Sequence, residues 1–86
     1  MADIFDLLDS VEIDYARGGD TAMVALSDDV QVHITGNGDA ATMVVWLMQL
    51  DPEQSIVFPR SVIALLTVSQ ADVLHTLSEC KERYGA

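Results

Sequence analysis

Three side chains in this 86-residue chain have the chemistry of a nucleophile or a general base: His33, His75 and Cys80. His75 and Cys80 are five positions apart, so on a helix they project ~140° away from each other and cannot serve locally as base and nucleophile. His75 and Glu79 stand one turn apart, the spacing of an ordinary exposed helix pair. His33 occupies a polar position of an alternating run, where a solvated imidazole is the default, and Cys80 reads as a small core residue. Two histidines and one cysteine without ligand spacing argue against a zinc site, so neither metal nor cofactor is expected. Asn37-Gly38-Asp39 does not extend into a calcium loop. Gly36-Asn37-Gly38 joins two strands among acids instead of opening a helix, which argues against a phosphate cradle. The expectation is a protein without catalytic turnover.

Charge points elsewhere. The formal net charge is −10, with a pI near 4.1. Residues 1–53 hold eleven acids against Arg17 alone, which accounts for the whole of that charge, while residues 54–86 balance three acids with three bases. Direct nucleic-acid binding is therefore disfavoured, because phosphates need Lys and Arg to displace counterions. A basic protein surface is the expected partner. The candidate acidic contacts are Asp3, Asp6, Asp9, Glu12 and Asp14, all expected on one helix, with Asp28 and Asp29 in a turn. Like charges one helical turn apart cost a few tenths of a kcal/mol each, so five carboxylates beside one cation exceed what solubility alone requires.

Hydrophobic residues make up 50% of the chain and mean hydropathy is +0.27, which describes a folded chain with apolar surface to place. The length fits one domain, residues 1–86, with a core of marginal size. The longest apolar run is well short of the ~20 residues that cross a bilayer, and no cationic segment precedes an apolar one at the N-terminus, so a cytoplasmic, membrane-free protein is expected. One cysteine permits no internal disulfide.

The elements that must position these groups follow from periodicity. Ala2 to Arg17 reads as a helix with Ile4, Leu7, Leu8, Val11 and Tyr15 on one stripe, Phe5 beside the acids, and Gly18-Gly19 as its stop. A competing reading breaks the helix near Ser10 and makes Val11–Tyr15 a strand. Ala22–Leu26 reads as a strand, Asp28-Asp29 as a two-residue turn, and Val30, Val32 and Ile34 as the inward side of the next strand. Asn37-Gly38 reads as a type I′ turn into Thr42–Leu50, the longest apolar run, which contains Trp46 and is apolar on both faces. After Asp51-Pro52-Glu53-Gln54, two short strands are expected, Ser55–Phe58 and Arg60–Val68, separated by Pro59, which argues that the first lies on an edge; in the second, Val62, Ala64, Leu66 and Val68 oppose Ile63 and Leu65. Ser69 and Asp72 then resemble a capping box opening a helix to Tyr84, with Val73, Leu74, Leu77, Cys80 and Tyr84 inward.

The result is an α+β fold of order α-β-β-β-β-β-α: a mostly antiparallel sheet of four to five strands with a helix at each end of the chain. Two helices on one face would leave some of Met23, Val44, Trp46, Met48, Ile63 and Leu65 bare on the other, whereas one helix on each face would leave nothing over. A bare face would be an interface, for a second copy or for a partner, with Phe5, Trp46 and Met48 as candidate apolar anchors.

In size, acidity and lack of catalytic groups the chain is similar to phage anti-CRISPR and anti-restriction proteins, DNA mimics and nuclease immunity proteins. That likeness implies an inhibitor that blocks a basic, nucleic-acid-binding surface of an enzyme. In element order, with the Val24–Ile34 hairpin, Trp46–Glu53 ending the third strand and a closing helix, it resembles the small acidic chaperones of type III secretion. It differs from them in passing from Gln54 straight into another strand, without the helix those chaperones carry there.

Overall fold

Alternation builds the sheet. In the computed structural model, which describes residues 4–85, Ala22, Val24, Val32, Ile34, Ala41, Met43 and Val45 all turn to one face and are buried. The elements are α1 (Ile4–Ser10), β1 (Ala16–Gly18), β2 (Thr21–Ala25), β3 (Val30–Asn37), β4 (Ala40–Asp51), β5 (Ile56–Ser69), a 3-10 turn (Gln70–Asp72) and α2 (Val73–Tyr84). The five strands form one antiparallel sheet in chain order, β1-β2-β3-β4-β5, so every strand pairs with its sequence neighbour. The α+β order expected from the sequence is the observed one.

Both helices cover the same face. Ile4, Phe5 and Leu8 from α1 join Val73, Leu77 and Cys80 from α2 in a single core with the inward strand residues, while Leu74 and Tyr84 pack at its margin. Among the described residues, no helix lies on the other face.

The first helix is shorter than its pattern predicts. It ends at Ser10, and Glu12 adopts φ 58°, a left-handed conformation that stops an α-helix. The Leu8 carbonyl accepts from both Val11 N and Ile13 N, closing the turn. Val11, expected in the buried stripe, is instead exposed, and β1 begins only at Ala16. Both sequence readings of residues 11–15 therefore fail, although the break near Ser10 is real. The expected start at Ala2 lies outside the described residues.

Turns differ from expectation in detail. The β3–β4 loop is Gly38-Asp39, one residue later than expected, with positive φ at Gly38 (64°) and not at Asp39, which is the type II′ pattern. The β2–β3 connection is wider than two residues, because Leu26 N and Ser27 N both donate to the Val30 carbonyl. Asp51 Oδ1 accepts from Glu53 N at 3.0 Å and Gln54 N at 3.4 Å, which shapes the β4–β5 turn. Ser69 does not cap the second helix: its hydroxyl donates to the Asp72 carboxylate at 3.0 Å, and the helix starts through the 3-10 turn.

The two short strands expected around Pro59 are one strand of 14 residues. Pro59 is tolerated because β5 is an edge, as expected for the first of those strands, with β4 on one side and, among the described residues, no strand on the other. β5 carries an extra residue opposite Val45–Trp46 (Ile63) and another opposite Leu47–Met48 (Arg60). The first bulge overturns the expected parity: Ala64, Leu66 and Val68 stay on the helix side, but Val62 pairs with Trp46. β3 reaches only as far as Leu47 of β4, so Met48–Asp51 and Ile56–Pro59 project beyond the sheet as a two-stranded ribbon.

Candidate functional site: the helix-free sheet face

The register stacks the helix-free face in rows. Thr21, Thr35, Thr42 and Thr67 lie side by side across β2, β3, β4 and β5, with the Thr21 and Thr35 hydroxyls 2.9 Å apart. The next row is Met23, His33, Val44 and Leu65, and the one beyond is Ala25, Gln31, Trp46 and Val62. The face is thus polar along one end and apolar toward the other. Its apolar part grades into the exposed β5 residues Val62, Ile63 and Leu65 and, along the ribbon, into Leu50, Ile56, Val57 and Phe58. This contiguous exposed apolar surface makes the face the candidate site.

Trp46 sits in the middle, half-buried, with its ring centroid 6.0 Å from that of His33 at an interplanar angle of 41°. His33 Nε2 lies 3.4 Å from Gln31 Oε1. Partial burial under these neighbours pushes the His33 pKa below the usual histidine value, because the protonated ring loses solvation there.

The candidate anchors divide. Trp46 is on the open face as expected, but Phe5 is only 7% exposed and belongs to the core. Its ring lies 5.6 Å from that of Tyr15, and the Arg17 guanidinium sits 4.0 Å above it. Both covering residues come from beyond the point where α1 ends, which helix periodicity could not show. Phe5 is therefore not a surface anchor. Met48, although on the same strand as Trp46, is buried too, and its backbone N–H donates to the Asp29 carbonyl at 2.6 Å.

The acids divide as well. Asp6 and Asp9 are exposed on α1, on the side of the sheet away from Trp46, and Asp9 accepts from the Tyr15 hydroxyl at 3.0 Å. Glu12 and Asp14 are exposed in the connection to β1, so the single helical acid face expected from the sequence does not form. Asp3 lies outside the described residues. Asp28 and Asp29, by contrast, are exposed in the β2–β3 turn, which the Met48–Asp29 bond ties to the strand bearing Trp46. Of the candidate acids, these two are the ones the fold brings beside the strand bearing Trp46.

The groups with catalytic chemistry are held apart. His33 is on the open face, whereas Cys80 is buried beneath α2 on the opposite side of the sheet. Burial first, then the neighbouring Glu79 charge, pushes the Cys80 thiol up against a smaller downward pull from Arg83. His75 and Glu79 are largely exposed and pair at 2.6 Å across one helical turn. Among the described residues, no three His, Cys, Asp or Glu side chains gather where they could hold a metal ion, and no helix is long and apolar enough to cross a membrane.

Comparison with protein-family models, with curated proteins and with solved structures finds no match to this chain.

Proposed function

We propose that this is a non-catalytic binding protein whose helix-free sheet face docks onto a basic protein surface. The observation that carries the reading is the position of Trp46: half-exposed at the centre of an apolar face with no helix over it, with Asp28 and Asp29 in the adjoining turn. An aromatic anchor supplies binding energy on desolvation, and exposed carboxylates raise the association rate toward a cationic patch. The partner class that fits is the nucleic-acid-binding surface of an enzyme, whose Lys and Arg side chains would meet these carboxylates in place of phosphates. Occupation of that surface makes the protein an inhibitor. The separation of His33, His75 and Cys80 supports binding without turnover.

The test is affinity capture from the native cell with three baits: the unaltered protein, Trp46→Ala, and Asp28→Asn with Asp29→Asn. A captured nucleic-acid enzyme should lose nucleic-acid binding when complexed. Trp46→Ala should weaken capture by about 2 kcal/mol. The double Asn bait should associate severalfold more slowly and lose most of its salt dependence. Capture indifferent to both changes defeats the reading. A second reading, an adaptor or chaperone that holds an extended segment of a client, is favoured by the open β5 edge; hydrogen exchange in the complex would then show protection along β5 and not on the open face.

A further inference from the structure

A groove of about 660 Å³ runs between α2 and β5 on the helix side of the sheet, across the sheet from the face just described. Ala64, Leu66 and Val68, all half-buried, line it from β5, and Thr76, Cys80 and Tyr84 line it from α2. Its outer side is the edge of the sheet, where, among the described residues, no strand pairs with β5 beyond β4. Over Ala64–Ser69 β5 follows β4 residue for residue without a bulge, so every second residue there turns its N–H and C=O outward in a regular row. An apolar groove and a row of unpaired main-chain groups thus lie side by side.

The surroundings are acidic. Glu79 and Glu82 are exposed on the α2 wall, and at the Ser69 end stand the exposed Asp72 and Asp39, the latter fixed there by the bond from Gln70 N to its carbonyl. Arg83 is the cation among the groove-lining residues.

We propose that this groove takes an extended basic peptide segment of another protein, which pairs with Ala64–Ser69 as an added strand. The proposal rests on the reading of the molecule as a protein-binding module with a basic partner, and names the kind of segment a second surface of it takes. An added strand lies ~4.8 Å from β5, with every second side chain on the helix side. Aliphatic residues at those positions close over Leu66 and its neighbours, and flanking Lys or Arg side chains meet Glu79, Glu82 and Asp72. Main-chain hydrogen bonds give the affinity and the alternate side chains the selectivity. Area and charge select a short segment over a second copy of this chain. The regular stretch spans ~20 Å and, two layers of ~10 Å deep, presents on the order of 400 Å², about half of what each partner buries in a standard interface. A second copy would also bring its own net charge of −10 to an acidic rim.

The test titrates the protein with the end-capped peptide Lys-Thr-Val-Thr-Val-Thr-Val-Lys, carrying a fluorophore for anisotropy. Binding should saturate, weaken as salt rises, and slow amide exchange within residues 64–69. Exchanging both peptide lysines for Glu should weaken it roughly tenfold, and Glu79→Lys with Glu82→Lys should reverse that preference, which damage to the fold would not do. Two further peptides, N-methylated at alternate residues in either phase, separate strand addition from adhesion: one phase should lose binding and the other keep it, because only one set of N–H groups faces β5. Trp46→Ala should leave peptide binding unchanged, so capture by the open face and binding in the groove stand or fall separately. No binding at millimolar peptide overturns the proposal, as does loss in both methylated phases or in neither. Indifference to the Glu79 and Glu82 reversal overturns the basic character of the segment, and a dimer that the peptide cannot enter overturns it in favour of a second copy.

Discussion

The two edges of this sheet are built on opposite principles. β1 is three residues long, flanked by Asp14 and Gly19-Asp20, and its one long side chain, Arg17, folds inward over Phe5. β5 is 14 residues long and exposes a row of aliphatic side chains with a single charge among them. A short, charged edge gives a neighbouring strand nothing to extend, whereas a long apolar edge invites one. The difference teaches that the protein guards one side of the sheet against association and leaves the other available, and it places the guard where the acids are.

The largest test of that contrast is Phe5→Ala. Removing the ring empties the core beneath Arg17 and Tyr15, and stability should fall by about 3–5 kcal/mol in denaturant titration. A loss under about 1 kcal/mol would mean that the β1 side is not closed by packing. Arg17→Ala removes only the cation above the ring and should cost ~0.5–1 kcal/mol by the same measurement. On the other edge, Val62→Lys alters an exposed side chain and should shift monomer stability by no more than about 0.5 kcal/mol, while reducing aggregation on concentration. A large destabilisation there would show that the edge is already covered within the monomer.

His33, midway between the edges, gives the smallest effect. Its folded pKa lies below the ordinary value of 6.5, so on acidification the unfolded chain takes up this proton first. Its contribution is present above about pH 6.5 and is lost as pH falls through the lowered folded value. Melting temperatures at pH 7.5 and 5.5 should therefore draw closer together in His33→Gln than in the unaltered protein.

The sheet was readable in the sequence wherever period-two alternation met a turn residue. Val30, Val32 and Ile34, the run through Trp46, and the bare Met23–Val44–Leu65 row all follow from it. The stripe of the second helix was equally legible. What periodicity could not carry was tertiary closure. Val11 and Tyr15 continue the helical stripe of Ile4 and Leu8 in spacing while Val11, Ile13 and Tyr15 also alternate, so the local pattern allows a break near Ser10 without fixing it and gives no sign of the left-handed turn at Glu12. Phe5 looked like a surface residue because its cover, Tyr15 and Arg17, arrives from the chain beyond that break. Pro59 signals an edge strand, and β5 is one, but the same residue also reads as a break, and β5 runs through it because no outer strand among the described residues needs its missing N–H. Of the acids, the turn pair Asp28-Asp29 borders the candidate face, a placement fixed by strand register that helix spacing does not reveal.

The strictly sequential strand order has a kinetic consequence. Every ladder joins neighbours in the chain, so each hairpin closes a short loop, at little entropic cost, before the next is added. The sheet can therefore zip from β2 to β5 rapidly and by local steps. The non-local steps are the docking of α1 and α2, whose residues meet the same strands from the two ends of the chain. Until both have docked, the sheet is apolar on two faces at once, and the helices, not the strands, set the moment at which the folding chain ceases to be sticky. Substitutions in Leu8 or Leu77 should accordingly speed unfolding more than they slow folding, while substitutions at Val32 or Val45 should slow folding.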